Sequence, residues 1–319
     1  MCSSDLHWAD PTTLEALGVL IERLGDVPLL AVLTHRPEFE PPWMRYSYVT
    51  ALDLARLAPA ESRELISNLT AGKALPDDLV EQVIAKADGI PLFMEELTKT
   101  IIESGDLIDQ GDRYVYARPF LSVAIPETLR DSLMARLDRV AAVKRIAQVG
   151  AVIGREFGYE LLAEIEMMSE AALVDVLERL VASELASCRG EIPESVYTFK
   201  HALVQDTAYD SLLKSQRMTI HGKIAQALEK RWPESRETKP ELLAHHYTAA
   251  GLFEAATPYW RRAGELAMQR FALREAITHL NNGMMLIEKL PPGPRRDLME
   301  LELRTVLGPA VVEIGRAHV

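Results

Sequence analysis

Apolar residues follow two different patterns along the first fifty residues, one periodic and one continuous. Between Pro11 and Leu24 apolar side chains recur every three or four residues, which predicts an amphipathic helix. The run VPLLAVLT that follows is continuously apolar and ends at a polar loop, so we interpret it as a buried strand. A continuous apolar strand flanked by helices indicates a parallel sheet that is covered on both faces.

The next seventy residues predict a small helical region. The stretch VTALDLARL is strand-like, and a helix is expected to start near Ala60–Glu61. The segment PDDLVEQVIAKADGIPLFMEELTKTIIESG predicts two helices hinged at Gly89-Ile90-Pro91, because glycine and proline interrupt the helical period there. A short hairpin around DRYVYARP, with Gly111 near its turn, follows.

From Pro126 onward the pattern is almost wholly helical. Ser169 is placed to cap the helix SEAALVDVLERLVAS, which follows helical patterns in PETLRDSLMARLDRV, AAVKRIAQVGAVIG and GYELLAEI. Two extended runs in ELASCRGEIPESVYTF, joined by a Gly/Pro/Ser turn, predict a hairpin. Three helices followed by a hairpin is the order of elements in a winged helix.

Helices are predicted for the remainder of the chain. Small and aromatic residues alternate in LLAHHYTAAG and in EAATPYWRRAGELAM. This alternation is typical of the stacked helix pairs of a tetratricopeptide-like solenoid, of which one or two degenerate repeats are visible. The predicted fold class is therefore mainly α.

Composition narrows the possible functions. The 319 residues carry a net charge of −12, which argues against broad binding to nucleic acid or to anionic membranes. Two cysteines exclude a disulfide framework and a cysteine-rich metal site. The sequence shows neither a membrane-spanning apolar run nor a signal-peptide pattern, so we expect a cytoplasmic protein.

Seven short motifs occur together in a recognisable order. They are DLHWADPTTLEAL, LTHRPEF, DGIPLFMEELTK, IPETLRDSLMARLD, GAVIGREF, TFKHALVQDTAYDSLL and LLAHHYTAAG. In this order the chain resembles the regulatory ATPases of the STAND/AAA type, especially those fused to bacterial class III adenylate/guanylate cyclases. The same ATPase type occurs in large LuxR-type transcription regulators. The resemblance runs from about His7 to about Val312.

The resemblance implies four parts. Residues 7–58 match the C-terminal remnant of an α/β P-loop NTPase core, and residues 59–125 match its helical lid. Residues 126–214 match a winged-helix-like domain, and residues 215–313 match tetratricopeptide-like repeats. The expected cofactor of the complete parent protein is ATP or ADP with Mg²⁺.

The phosphate-binding pattern GxxxxGK[ST] is absent from the sequence. Gly72-Lys73 is followed by Ala74, and Gly222-Lys223 is followed by Ile224, so neither pair completes it. The glycines of GAVIG lie inside a helical pattern, which favours tight helix packing. We therefore expect an internal fragment that starts at the Walker B position and does not bind nucleotide tightly alone.

The two termini suggest non-native flanks. The start MCSSDL can be encoded by GTG-TGC-TCT-TCC-GAT-CT, and the reverse complement of that string translates as Ile-Gly-Arg-Ala-His. The chain ends IGRAHV. Because the string also looks like a sequencing-library adapter, residues 1–6 and 314–319 are expected to be adapter-derived.

Five residues match functional positions of the family. Asp5 matches the second Walker B acid by position, unless its codon belongs to the adapter. The resemblance implies that Arg36 senses the γ-phosphate, that Gly89 and Pro91 form the turn packed against adenine, and that His201 contacts the β-phosphate of ADP.

Each of these positions also has a plainer interpretation. Arg36 follows the apolar run at the expected carboxyl edge of a sheet, but it could instead pair with Glu38. Gly89 and Pro91 would equally serve a plain helix break. A histidine at a helix start, as at His201, is often an ordinary surface residue.

Other candidates are less specific. His245-His246 has no cysteine or acidic partner at ligand spacing, which favours packing over a metal site. Glu95 and Glu96 are interpreted as a solvated face. The candidate recognition helix carries Glu170, Asp175 and Glu178, and acidic side chains repel DNA phosphates, so no DNA binding is expected. The sequence shows no nucleophile–base motif.

The sequence leaves two candidate functions for this chain. The first is the C-terminal portion of a signal-transduction ATPase switch that controls an upstream effector domain of the same polypeptide, for example a nucleotide cyclase. The second is a non-catalytic scaffold whose C-terminal helical repeats bind a protein partner.

Overall fold

The chain is mainly helical, as the sequence predicts. The computed structural model describes residues 2–3, 6, 9, 11–117, 126–139 and 141–317. The chain divides into two compact units, one formed by Met1–Asp53 with His221–Val319 and the other by Leu54–Ile220.

The N-terminal segment of the first unit is a small α/β arrangement. Strand β1 (Cys2–Ser3) pairs in parallel with β2 (Val32–Leu33), and helix α1 (Pro11–Glu22) lies between them in the chain. A 3₁₀ turn spans Leu24–Asp26. A small cluster of buried side chains holds this segment together: Leu6, Leu17, Ile21 and Trp43. Leu6, which was expected to belong to a non-native flank, is thus part of the core.

The apolar run VPLLAVLT is not the buried strand that was predicted. Among the described residues Val32 and Leu33 pair with β1, and the Leu6 amide donates a hydrogen bond to the Thr34 carbonyl at 3.0 Å. Leu30 is nevertheless 79% exposed. Burial of a parallel strand requires neighbours on both edges and a layer on each face. Within the described residues β2 has the single two-residue neighbour β1, so its apolar side chains stay in contact with solvent.

The first part of the second unit packs three helices and a hairpin. The helices are α2 (Pro59–Leu69), α3 (Asp77–Ala87) and α4 (Pro91–Glu103). The predicted hairpin is confirmed, with β3 (Leu107–Asp109) antiparallel to β4 (Tyr114–Tyr116). Buried apolar side chains from all three helices form one core, which includes Ile66, Leu79, Val83, Met94 and Leu97.

The second part of this unit alternates helices with short strands. Its elements, in chain order, are α5 (Leu129–Asp138), α6 (Ala141–Ile153), β5 (Glu156–Gly158), α7 (Tyr159–Glu166), α8 (Glu170–Ala182), β6 (Ala186–Arg189), β7 (Val196–Phe199) and α9 (Ala202–Asp210). The three strands form an antiparallel sheet in the order β5-β7-β6. Strand β5 was not foreseen from the sequence.

Two local predictions in this region are confirmed. The Ser169 hydroxyl accepts a hydrogen bond from the Ala172 amide at 3.4 Å and so caps α8. Gly150 lies inside α6, where an added Cβ would stand 2.7 Å from the ring of Phe157. Gly150 therefore serves close packing of a helix on an aromatic side chain, as predicted. Gly154 does not fit the prediction, because it lies beyond the end of α6 with φ of 156°.

The C-terminal segment of the first unit is a stack of helices. The helices are α10 (Lys214–Arg231, which crosses the division between the units), α11 (Ser235–Thr238), α12 (Pro240–Ala249), α13 (Phe253–Gln269), α14 (Leu273–Ile287) and α15 (Pro294–Ala317). From α12 onward each helix packs against the next one in the chain. None of the helices in the described part of the chain has the length and apolarity needed to cross a membrane.

Candidate functional site

The turn between α3 and α4 is the best-defined of the predicted nucleotide-sensing positions. Asp88 ends α3 in the left-handed conformation with φ of 47°, and Gly89 follows with φ of 71°. Pro91 is the first residue of α4, where its missing N–H costs no helical hydrogen bond. Glycine and proline are therefore used here for their backbone conformations, as the predicted hinge requires.

A neighbouring backbone segment is packed against this turn. The Leu57 amide donates a hydrogen bond to the Gly89 carbonyl at 2.8 Å. A Cβ on Gly89 would lie 2.6 Å from the Leu57 carbonyl oxygen, closer than carbon and oxygen can approach. Arg56 also forms an ion pair with Asp88. The turn is thus a docking point for residues 56–57 as well as a helix break.

Arg36 is exposed beyond the end of β2. Its carbonyl accepts hydrogen bonds from the Phe39 amide at 3.0 Å and from His35 Nδ1 at 2.9 Å. In the described part of the chain its guanidinium forms no ion pair, so the alternative pairing with Glu38 is not present. A free guanidinium beyond a strand end is compatible with a role in anion sensing.

His201 lies where the sequence places it, at the start of a helix. It is the N-cap residue of α9, it is partly buried, and its side chain does not cap the helix. Among the described residues, no hydrogen bond joins His201 to the Gly89 turn. In the described part of the chain these two predicted sensing positions are therefore not joined by a hydrogen bond.

The remaining predicted position, the candidate Walker B acid Asp5, lies outside the described residues.

A buried ion pair between α4 and α5 was missed by the sequence interpretation. Glu96, predicted to lie on a solvated face, is 3% exposed and pairs with Arg136, whose side chain is 1% exposed. The prediction was wrong because Glu96 lies on the apolar side of α4, between buried Phe93 and Leu97. The adjacent Glu95 is partly exposed and pairs with Lys99 at 2.6 Å.

Neutral polar groups complete the α4–α5 polar cluster, which we define as Glu96, Thr100, Ser132 and Arg136. The Thr100 and Ser132 hydroxyls are hydrogen bonded at 2.6 Å. Ser132 also donates to the backbone carbonyl of Glu96 at 3.1 Å. All four residues are buried, so the cluster forms a hydrogen-bonded contact in the interior between the two helices.

The polar cluster extends to the connection between α8 and β6. Arg136 donates a hydrogen bond to the Ser183 carbonyl, and Lys99 pairs with Glu184. Burial opposes the charge on Lys99, but hydrogen bonds from its ammonium group to Glu184 and Glu95 prevail and raise its pKa. The hydrogen bond from Lys99 lowers the pKa of Glu184. One face of α4 is therefore fastened both to α5 and to the α8–β6 connection.

The candidate recognition helix α8 presents the acidic face that was predicted. Glu170, Asp175 and Glu178 are exposed, and they border a shallow depression. The neighbouring Arg179 pairs with Asp175 at 3.2 Å. An acidic face of this kind is poorly suited to DNA phosphates.

Three histidines come together in the first unit. His221 on α10 lies beside His245 and His246 on α12, with ring centroids 5.7 Å and 5.1 Å away. Nδ1 of His221 is 2.8 Å from Nδ1 of His246, a hydrogen-bonding distance. The sequence interpretation considered only the adjacent pair on α12, because His221 is separated from it in the chain and has no local motif.

The histidine cluster is uncharged at neutral pH. Burial, reinforced by the neighbouring His245, lowers the pKa of His221 to about 4. Burial and the two other rings lower the pKa of His246 to about 3. Neutral imidazoles can donate and accept hydrogen bonds and can bind transition metals.

Comparisons with known proteins leave the family open. No protein-family model matches the chain. An uncharacterized protein of Rhizobium meliloti is 26% identical to it over 316 residues. The match covers 97% of this chain and 30% of the relative, so the chain spans less than a third of the relative's length. This similarity assigns no activity to the chain.

Proposed function

We propose that this chain is part of a nucleotide-dependent regulatory switch of the STAND/AAA type. The observation that carries the proposal is the buried Glu96–Arg136 ion pair. Helix α4 begins at the Gly89–Pro91 turn, the position that the resemblance assigns to nucleotide sensing, and the ion pair fastens the same helix to α5. A movement of the turn would therefore be passed directly to the region that follows α5.

The order of elements supports a winged-helix interpretation of that region. Three helices, α6 to α8, are followed by the β6–β7 hairpin, and strand β5 lies between α6 and α7. Strand β5 pairs with β7 in one antiparallel sheet. The acidic face of α8 argues for an internal switch part rather than a DNA reader. We propose that residues 54–220 respond as one body to the bound nucleotide.

The nucleotide itself is proposed to be ATP or ADP with Mg²⁺, held largely by other sequence of the parent polypeptide. Arg36, Gly89, Pro91 and His201 are the residues of this chain to which the resemblance assigns nucleotide sensing. No Gly-rich phosphate cradle is present in the sequence, so these residues fit the sensing groups of a site and not its phosphate-binding loop. No hydrolytic step is assigned to them. The switch would control an effector domain that lies upstream in the same polypeptide. We expect the protein to be located in the cytoplasm.

Equilibrium titration with Mg²⁺–ATP and Mg²⁺–ADP tests this proposal. For the chain alone we expect a Kd weaker than about 1 mM. For the parent polypeptide, read from the source DNA outward from the codons of His7 and Val312, we expect micromolar binding and different affinities for the two nucleotides. Micromolar binding by the chain alone would refute the assignment of the phosphate site to other sequence. A parent that binds neither nucleotide would refute the switch itself.

A protein-interaction scaffold is the second candidate function. The last helix favours it, because Leu298 and Leu301 on α15 are 55% and 62% exposed and form an apolar strip. Exposed apolar strips on the last helix of a stack are typical of surfaces that pack against a further repeat or a partner. A scaffold requires no nucleotide, so the same titration of the parent polypeptide separates the two functions.

A further inference from the structure

The histidine cluster has the composition of a metal site. His221, His245 and His246 each offer a ring nitrogen, and these three atoms lie within 4.8 Å of one another. Two helices contribute to the cluster, α10 with one histidine and α12 with two. Imidazole nitrogen is a preferred ligand of zinc, copper and nickel, and it is a poor ligand for magnesium or calcium.

The distances require only small changes for a metal ion to bind. Tetrahedral Zn²⁺ with bonds of about 2.0–2.1 Å places its ligand nitrogens roughly 3.4 Å apart. Nδ1 of His221 and Nδ1 of His246 are 2.8 Å apart, so a small rotation of either ring brings them to this spacing. Their hydrogen bond would then be exchanged for two bonds to the metal.

Burial of the cluster is uneven in a way that suits an open coordination site. His221 and His246 are 2% and 1% exposed, whereas His245 is exposed to solvent. The two buried rings would bind the ion from the protein interior. The ion would enter from solvent at the exposed ring of His245. A water molecule can take the fourth position, as in zinc sites with three protein ligands.

We propose that His221, His245 and His246 form a zinc-binding site with three protein ligands and one water. The zinc ion would clamp α10 to α12 at the start of the C-terminal helical stack. This site is independent of the proposed nucleotide switch, since its residues are not among those assigned to nucleotide contacts.

Zinc titration of the untagged full chain tests the proposal. Both cysteines, Cys2 and Cys188, are replaced by serine so that thiolates do not contribute. Isothermal titration with ZnCl₂ gives the affinity and the stoichiometry, and Co²⁺ substitution gives the visible spectrum of the coordination geometry. We expect one Zn²⁺ per chain and a tetrahedral Co²⁺ spectrum.

A matched pair of variants locates the site. His245→Ala removes the exposed ligand without opening a cavity in the core, and His35→Ala removes an exposed histidine outside the cluster. We expect His245→Ala to weaken zinc binding by more than about 10-fold, since loss of even an outer partner of a metal ligand costs about 10–100-fold. The His35→Ala variant should bind zinc with the same affinity as the chain without this substitution.

The buried ligand provides a second variant. His221→Asn should abolish the tetrahedral Co²⁺ spectrum; if this variant does not fold by circular dichroism, the comparison of His245→Ala with His35→Ala decides alone. Equal zinc affinities for those two variants, or no stoichiometric uptake by the full chain, would overturn the proposal. The histidines would then be a hydrogen-bonded packing cluster.

Discussion

Removal of Arg136 should be among the most damaging single substitutions in the second unit. In Arg136→Met the buried carboxylate of Glu96 loses its partner while it remains 3% exposed. Breaking a buried ion pair by removal of one partner costs about 3–5 kcal/mol. For a unit of this size the cost corresponds to a fall in Tm of about 6–20 °C, at about 2–4 °C per kcal/mol.

A neighbouring arginine on the same stretch of chain provides the control. Arg139 pairs with Glu103 at 2.7 Å and donates to the Thr100 carbonyl at 2.8 Å, but its side chain is 31% exposed. Because solvent screens this contact, Arg139→Met should cost about 1 kcal/mol or less. The two variants thus differ chiefly in the burial of the charge that is removed.

The double variant Glu96→Leu/Arg136→Met separates burial of charge from loss of packing. Replacing both members of a buried ion pair by apolar side chains is often neutral or stabilising. We therefore expect the double variant to be more stable than Arg136→Met alone. A double-mutant cycle then gives the coupling energy of the pair.

The assay must report on the second unit rather than on the whole chain. All four tryptophans, at positions 8, 43, 232 and 260, lie outside residues 54–220. Hydrogen exchange of peptides from α4 and α5 reports on the second unit, and urea unfolding followed by circular dichroism reports on the helices of both units. Tryptophan fluorescence reports on the first. If Arg136→Met costs no more than Arg139→Met in exchange and unfolding, the inference of a stabilising buried charge pair is refuted.

Two further predictions concern the α3–α4 turn and the histidine cluster. Gly89→Ala should destabilise the second unit by more than Gly72→Ala, because both residues have positive φ but only Gly89 has a backbone atom within 3 Å of the added Cβ; equal urea midpoints by circular dichroism would contradict this. The lowered pKa values of His221 and His246 mean that the unfolded state binds more protons between about pH 4 and 6.5. Stability of the first unit should therefore fall as the pH is lowered from 7 to 5 in EDTA, by about 2 kcal/mol for His221. A urea midpoint by tryptophan fluorescence that is unchanged at pH 5 would contradict the burial of neutral histidines.

Local signals in the sequence sufficed for most helices and their ends. The helix break at Gly89 and Pro91 depends on local backbone preferences, and the cap at Ser169 depends on a side-chain hydrogen bond within three residues. The structure confirms the break and the cap. Strand β5 was missed because its three residues carry no periodic pattern of their own. It is a strand only because β7, some forty residues later, pairs with it.

The wrong and missed assignments share one physical cause, which is dependence on distant partners. Glu96 is buried because Arg136, forty residues away, supplies its counter-charge. His221 joins His246 across twenty-five residues. The apolar run around Leu30 is exposed because burial of a strand depends on neighbouring strands and on the layers that cover the sheet. An apolar segment of the sequence does not specify these neighbours.

The most direct test of the switch proposal is hydrogen exchange of the parent polypeptide saturated with Mg²⁺–ATP and, separately, with Mg²⁺–ADP. If α4 carries a nucleotide-dependent movement to α5, peptides from the Gly89–Pro91 turn, α4 and α5 should exchange at different rates in the two states. Substitution of Arg136 by methionine should remove the difference in α5 while the difference at the turn remains. Identical exchange of these peptides with both nucleotides bound would contradict the proposed switch.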